Sequence, residues 1–118
     1  MVGGRSVVTE DEFRSLALAL PEAVELDHHG SPSWRVQGRI FATLPEPGAV
    51  NVMADEGVIH EAVTENPDWC HETWWGERLT AVRIDLPAAL DDVVREVVVD
   101  AWRRKAPIRV VREHPEIG

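Results

Sequence analysis

The residues of this chain best suited to chemistry are its arginines and lysine, and five of the 12 basic residues fall in one short run. The run extends from Trp102 to Arg112, and none of the 21 acidic residues lies within it. Its basic members are Arg103, Arg104, Lys105, Arg109 and Arg112. Affinity for nucleic acid comes mainly from neutralised phosphates, which basic groups gathered on one face provide. The run is therefore a candidate DNA-binding segment.

A structural explanation of the same run stands beside the functional one. Basic residues at a helix C-terminus are expected because they complement the helix dipole. Outside the run, seven basic and 21 acidic residues give a net charge of −14, and a body of that charge repels a polyanion unless it faces away. Arg35 and Arg39 flank a predicted hairpin turn and complete the candidate set as a wing. We expect a negative body with one positive patch.

Three of the five tryptophans form a second group of interest, because Trp69, Trp74 and Trp75 cluster near Gly76. They could line a ligand groove or stack on bases. They could equally close one end of the core. The alternative to DNA binding is therefore a small-molecule or protein-interaction module with a tryptophan-lined groove. Trp34 and Trp102 are predicted to lie in the core.

Histidine and cysteine offer little for metal binding or catalysis. Adjacent strand residues point to opposite faces, so neither His28-His29 nor Cys70-His71 readily chelates one ion. His60-Glu61 begins like a zinc-protease helix, but Thr64 stands where the second histidine is required. We predict no catalytic residue, no metal ligand and no cofactor, and hence a non-enzymatic binding module. A hydrolase or transferase would need a cleft where a histidine meets Cys70 or a carboxylate.

Length and composition limit the architecture that holds these residues. A chain of 118 residues with 44% hydrophobic and 28% charged residues fits one globular domain, residues 1–118. A single cysteine cannot form an intrachain disulfide, and no segment approaches the ~20 apolar residues of a membrane span. We therefore expect a cytoplasmic protein that does not bind membranes. Residues 1–8 are expected to form a loose arm and residues 108–118 a C-terminal tail.

The pattern of apolar residues predicts three helices. Thr9 and Glu12 form a capping box for the first, which Pro21 ends. Asp55 can cap a second helix of about ten residues. The last follows an i, i+3, i+4 rhythm from Leu90 to Trp102 and is terminated by Pro107.

Between and after these helices, alternating segments predict strands. They are Val24–His28, Ser33–Val36, Arg39–Leu44, Val50–Met53 and Ala81–Asp85. Gln37-Gly38 has the length of a tight hairpin turn. Residues 69–79 show no clear period and are predicted to be a loop. The fold class is therefore α+β in two layers, an antiparallel sheet of about five strands with helices on one face, in the order α-β-β-β-β-α-β-α.

Three motifs resemble those of the MmcQ/YjbR-like family of small bacterial proteins. They are residues 29–36 (HGSPSWRV), residues 38–44 (GRIFATL) and residues 100–107, which begin Asp-Ala-Trp-Arg and end Ala-Pro. The resemblance begins at the first helix and runs nearly to the C-terminus. It rests on the order and spacing of the motifs together, since none of them is diagnostic alone.

The resemblance implies a two-layer α+β fold similar to CyaY (frataxin) and to secretion chaperones. Members of the family are commonly described as DNA-binding proteins with a double wing, a description that rests on their fold. This chain departs from the family pattern at two positions. Met53 stands where many members have a lysine, and Leu79 where many have a tryptophan. If that lysine helps to hold an anion, this chain must hold it by other means.

Overall fold

A computed structural model describes residues 8–117 of the chain. The helices are α1 (Glu10–Leu18), α2 (Glu56–Glu65), α3 (Asp91–Lys105) and α4 (Ile108–Glu113). The strands are β1 (Ala23–His28), β2 (Ser31–Val36), β3 (Arg39–Glu46), β4 (Ala49–Val52), β5 (Cys70–Trp75) and β6 (Arg78–Asp85). No helix within the described residues is long and apolar enough to cross a membrane.

The helix starts follow the predicted capping chemistry. The Thr9 side chain accepts a hydrogen bond from the Glu12 backbone N–H at 3.1 Å, and the Glu12 carboxylate accepts one from the Thr9 N–H at 2.9 Å. This reciprocal arrangement is the predicted capping box. Asp55 caps α2 through the N–H of Gly57. Both predicted caps are confirmed.

All six strands form one antiparallel sheet in the order β1-β2-β3-β4-β6-β5. Its register aligns Trp34 with Ala42, Ala42 with Val52, and Val52 with Val82. These four side chains are fully buried, so one face of the sheet forms the core beneath the helices. The predicted α+β fold with an antiparallel sheet is confirmed.

The tryptophan-rich segment is a strand rather than the predicted loop. Residues 70–75 form β5, which pairs along its length with β6, and β6 begins at Arg78 rather than at Ala81. The register shifts between Thr73 and Trp74. That irregularity interrupts the alternation of side chains, so the segment shows no regular period. The sheet therefore has six strands instead of about five.

The segment predicted to be a C-terminal tail contains a helix. Residues 108–113 form α4, and its Val110 is fully buried. Pro107 ends α3 as predicted but also precedes this new helix, since proline is tolerated at helix starts. Val8, assigned to the loose arm by the sequence, is buried in the core. Residues 1–7 of that arm lie outside the described residues.

The β1–β2 hairpin is tied to α1 through a buried indole. Trp34 Nε1 donates to Glu25 Oε1 at 3.1 Å, and Arg14 Nε of α1 donates to the same oxygen at 2.8 Å. The Trp34 ring also meets Phe13 edge to face, with ring centroids 5.1 Å apart. Glu25 therefore joins the first helix to the first two strands.

Candidate anion-binding pocket

Positive side chains meet at one end of the sheet, where a pocket of about 270 Å³ opens beside the C-terminus of α3. We call it the cationic pocket. It is lined by Met53, Trp75, Arg78, Leu79, Thr80, Arg104 and Lys105. Three of these residues are positively charged, one is aromatic and none is acidic. Such a lining favours an anionic ligand.

Four separate chain segments converge on this pocket because of the strand order. Trp75 ends β5 and Arg78 begins β6, so the turn between them brings an aromatic ring and a guanidinium together. Met53 follows β4, which is the other neighbour of β6 in the sheet. The last two residues of α3, Arg104 and Lys105, close the pocket.

Arg104 fixes the end of α3 against the sheet. Its Nη1 donates to the main-chain oxygens of Met53, at 3.1 Å, and Ala54, at 3.0 Å. Guanidinium groups carry five donors in a rigid fork. Both of these hydrogen bonds come from Nη1 of Arg104, so its Nε and Nη2 take no part in them.

Arg39 extends the positive field of the pocket, and Arg35 does not. Arg39 is aligned with the buried Val36 across the β2–β3 pair, which puts it on the helix side of the sheet. Arg35 directly precedes Val36 in β2 and therefore points to the opposite face of the sheet. There its Nε donates to Ser33 Oγ at 3.1 Å. The two arginines of the predicted wing consequently face different sides of the sheet.

The pKa of Lys105 reflects the positive charges around it. Partial burial lowers the pKa of the Lys105 ammonium from its ordinary value, and the charges of Arg104, Arg39 and Arg78 lower it further. Like charges disfavour the protonated form of a base in the same direction as desolvation does. Lys105 therefore lies where four positive groups act on one another.

Among the described residues, no carboxylate is in direct contact with this cluster. Within residues 8–117, Arg39, Arg78, Arg104 and Lys105 have no carboxylate within 4.0 Å of their side-chain nitrogens. Elsewhere on the same chain arginines do pair, as Arg14 does with Glu25 and Arg83 with Glu46. The cationic pocket and its edge therefore gather four basic side chains that no carboxylate of the described residues contacts directly.

Comparison with known proteins assigns the chain to a family. The family model for YjbR matches residues 18–104, which is well over half of the sequence. The chain belongs to the YjbR family. None of the curated proteins compared with it is similar enough to count as a match. The match includes all residues of the cationic pocket except Lys105, which follows directly after its end.

A solved relative shows the same fold as this YjbR-family chain. The crystal structure of Deinococcus radiodurans protein DR2400, described as containing a DUF419 domain, superposes with a TM-score of 0.70. The alignment covers 95% of this chain and 89% of that chain at 16% sequence identity. At that identity the likeness establishes the fold.

Met53, one of the two departures from the YjbR-like pattern, lies in the wall of the cationic pocket. The resemblance implies a lysine at this position, and Met53 puts an uncharged side chain there in the pocket wall. Leu79, the other departure, lines the same pocket. Arg78, Arg104 and Lys105 supply positive charge around Met53 instead.

The remaining basic residues of the predicted C-terminal patch are arranged differently. Arg103 lines a neighbouring groove that also contains Glu61, Glu96 and Asp100. Arg109 Nη1 lies 3.3 Å from a carboxylate oxygen of Glu113 and 4.0 Å from one of Glu22, and Arg112 is exposed on α4. Neither residue lines the cationic pocket. Three of the five basic residues of the run therefore lie outside the cationic pocket.

The three clustered tryptophans separate in the structure. Trp69 is only 7% exposed and belongs to the core. Trp74 is 53% exposed, and its Nε1 donates to Glu72 at 3.0 Å. Trp75 is 81% exposed and is the tryptophan that lines the cationic pocket.

Sequence reasoning missed Arg78, because it lay in the segment predicted to be a loop. The signal that could have found it is the Gly76-Glu77 pair, since a two-residue loop with glycine first is typical of a hairpin turn. A hairpin there would have placed Arg78 beside Trp75 at one end of the sheet. Its meeting with α3 depends on tertiary packing.

The residues considered for catalysis or metal binding lie outside the lining of the cationic pocket. Cys70 is fully buried, and burial raises the pKa of its thiol to about 12. His71 contacts Asp85 and His60 contacts Glu72, at 3.2 Å and 3.0 Å. Among the described residues, no three His, Cys, Asp or Glu side chains are placed to share a metal ion.

Proposed function

We propose that this protein is a binding module that holds a phosphate-bearing ligand, of the nucleic-acid class, in the cationic pocket. The observation that carries the proposal is the convergence of Arg78, Arg104 and Lys105 on one pocket, with no carboxylate of residues 8–117 within 4.0 Å of their side-chain nitrogens. Crowded like charges repel one another, so an arrangement of this kind favours occupation by an anion. The proposal assigns no catalytic role to any residue.

The proposed contacts are a subset of the basic residues marked by the sequence, with one addition. Arg39, Arg104 and Lys105 contribute charge at the pocket, and Arg78 joins them. Arg35, Arg103, Arg109 and Arg112 lie outside the pocket lining. In this proposal they contribute at most long-range attraction, which salt screens over about 8 Å.

A small phosphorylated molecule with a planar ring is the second candidate ligand. Trp75 lines the same pocket as the three cations, so one ligand could place a phosphate among the cations and a ring against the indole. The volume of about 270 Å³ is slightly below the range of drug-sized sites. A mononucleotide combines both groups and tests this candidate.

The test is fluorescence anisotropy of a labelled eight-nucleotide DNA strand at about 50 and 200 mM salt. Three to four phosphate contacts predict binding about 20- to 50-fold weaker at the higher concentration. Lys105→Gln should weaken binding at low salt and reduce the slope of log K against log salt by about 0.7. A mononucleotide competitor, added at increasing concentration, measures how far the smaller ligand replaces the strand.

Arg109→Gln is the matched control, because it removes one positive charge outside the pocket. It should leave both the affinity at high salt and the slope close to those of the wild-type protein. Binding that is independent of salt, or equally weakened by Lys105→Gln and Arg109→Gln, would show that the pocket is not the contact site. The proposal would then be wrong.

A further inference from the structure

The cationic pocket combines two features that suit different parts of a nucleotide. Arg78 and Lys105 offer positive charge, and Trp75 offers an aromatic surface that is 81% exposed. An exposed tryptophan is an unusual use of a large apolar side chain, since tryptophan is highly buried on average. Its neighbour in sequence, Trp74, instead has its polar edge bonded to Glu72. Trp75 therefore has an open ring beside a phosphate-attracting cluster.

The positive area is also small and bounded by negative charge. The charged residues of the groove next to it along α3 are three acids and two arginines, Glu61, Glu96, Asp100, Arg95 and Arg103, and the whole chain has a net charge of −9. A duplex presents two continuous rows of phosphates with one negative charge per ~1.7 Å of axis. Such a ligand would bring phosphates against these carboxylates. A flexible single strand can place one or two phosphates in the pocket and turn away.

We infer that the ligand is a single-stranded nucleic acid, with a phosphate held between Arg78 and Lys105 and the adjacent base stacked on Trp75. This inference rests on the proposed function and adds which form of nucleic acid is bound. Bases in a duplex are stacked on one another and are not open to an external ring. Bases in a single strand are open, and stacking on an aromatic side chain strengthens binding with little dependence on sequence.

An abasic strand separates the stacking from the phosphate contacts. It carries the same phosphates as an eight-nucleotide oligothymidine strand but has no bases. The wild-type protein should bind oligothymidine about 5- to 150-fold more tightly than the abasic strand, which is the range for one stacked base. A duplex of the same length should bind more weakly than the single strand at equal salt.

Trp75→Ala should lower the affinity for oligothymidine to that for the abasic strand and leave the abasic affinity unchanged. Trp75→Phe keeps a ring and should retain most of the preference. Trp74→Ala is the matched control, since Trp74 directly precedes Trp75 in the same strand and does not line the pocket. It should change neither affinity. Near-ultraviolet circular dichroism of each variant verifies that it is folded.

The possible failures are distinct. Equal, salt-dependent binding of oligothymidine and the abasic strand would overturn stacking on Trp75 and leave the pocket as a phosphate site. Tighter binding of the duplex than of the single strand would likewise overturn the inference alone. No salt-dependent binding to any of the three ligands would overturn both the inference and the proposed function.

Discussion

Arg104 and Met53 are joined by a hydrogen bond of 3.1 Å from the guanidinium Nη1 to the main-chain oxygen. The same nitrogen donates to Ala54 at 3.0 Å. The end of α3 is thus held against the segment that follows β4, although the two are about 50 residues apart in sequence. This contact places Lys105, the next residue, at the mouth of the cationic pocket.

Replacing Arg104 should therefore affect both folding and binding. Arg104→Ala should lower the free energy of unfolding by about 1 to 2 kcal/mol, because a charged donor to two carbonyls is lost. Arg104→Lys keeps the charge without the planar fork and should recover part of the loss. Urea unfolding measures both. Arg112→Ala, on the exposed face of α4, should change stability by less than about 0.5 kcal/mol; an equally small change for Arg104→Ala would contradict the anchoring role.

Replacing Lys105, in contrast to Arg104, should stabilise the fold while it weakens binding. Its pKa is lowered by burial and by Arg104, Arg39 and Arg78, so at neutral pH its charge disfavours the folded state. Lys105→Met should raise the melting temperature slightly and weaken anion binding. Residues that serve binding often oppose stability in this way.

The pH dependence of this difference has a definite sign. The pKa of Lys105 in the folded protein lies below the ordinary value of 10.5. At pH values between the two, the unfolded chain binds more protons than the folded chain, so the stability of the wild-type protein rises with pH in this interval. The advantage of Lys105→Met should therefore shrink as pH rises from the lowered pKa towards about 10.5. Thermal melts of both proteins at matched pH values measure it. An advantage that grows over this interval would contradict the pKa assignment.

Glu25 should be a stability residue of the first hairpin. It accepts hydrogen bonds from Trp34 Nε1 and Arg14 Nε, and Trp34 is fully buried. Glu25→Ala leaves the buried indole N–H without this acceptor and should cost about 1 to 3 kcal/mol. Glu25→Gln retains an acceptor oxygen and should cost less. Glu77→Ala in the exposed β5–β6 turn is the control; equal unfolding midpoints for Glu25→Ala and Glu77→Ala would refute the role.

Cys70 should be chemically inert in the folded protein. Its thiol is fully buried and has a pKa of about 12, so almost no thiolate forms at pH 8, and the thiolate is the reactive species. Iodoacetamide should modify it only after denaturation, as mass spectrometry would show. The raised pKa also stabilises the fold below about pH 9, and this contribution is lost as pH rises towards 12. Rapid native alkylation at pH 8 would contradict this account.

Most of the fold could be predicted from local signals in the sequence. The capping box at Thr9 and the apolar stripe of α3 depend on near neighbours, and both helices are present. Gln37 and Gly38 both adopt positive φ, at 50° and 78°, and make the tight turn predicted there. The β5 strand could not be predicted from local signals in this way. Its register shift at Thr73 and Trp74 and its exposed tryptophans hide the alternation that marks a strand.

Only part of the cationic pocket could be predicted from the sequence. Arg104 and Lys105 stand out as the basic end of a helix, which also has a purely structural explanation. Their meeting with Arg78 and Trp75 depends on how β6 lies between β4 and β5 in the sheet. No local pattern encodes that order. The sequence likewise could not show that Arg109 pairs with Glu113 while Lys105 has no carboxylate partner among the described residues.

The most direct measurement of the central claim is a proton–nitrogen NMR titration of the labelled protein with oligothymidine. Binding at the cationic pocket predicts the largest shifts at the Trp75 indole N–H and at the backbone amides of Arg78, Arg104 and Lys105, with small shifts at Arg109. Largest shifts on α4, or an unchanged spectrum at saturating strand and low salt, would contradict it.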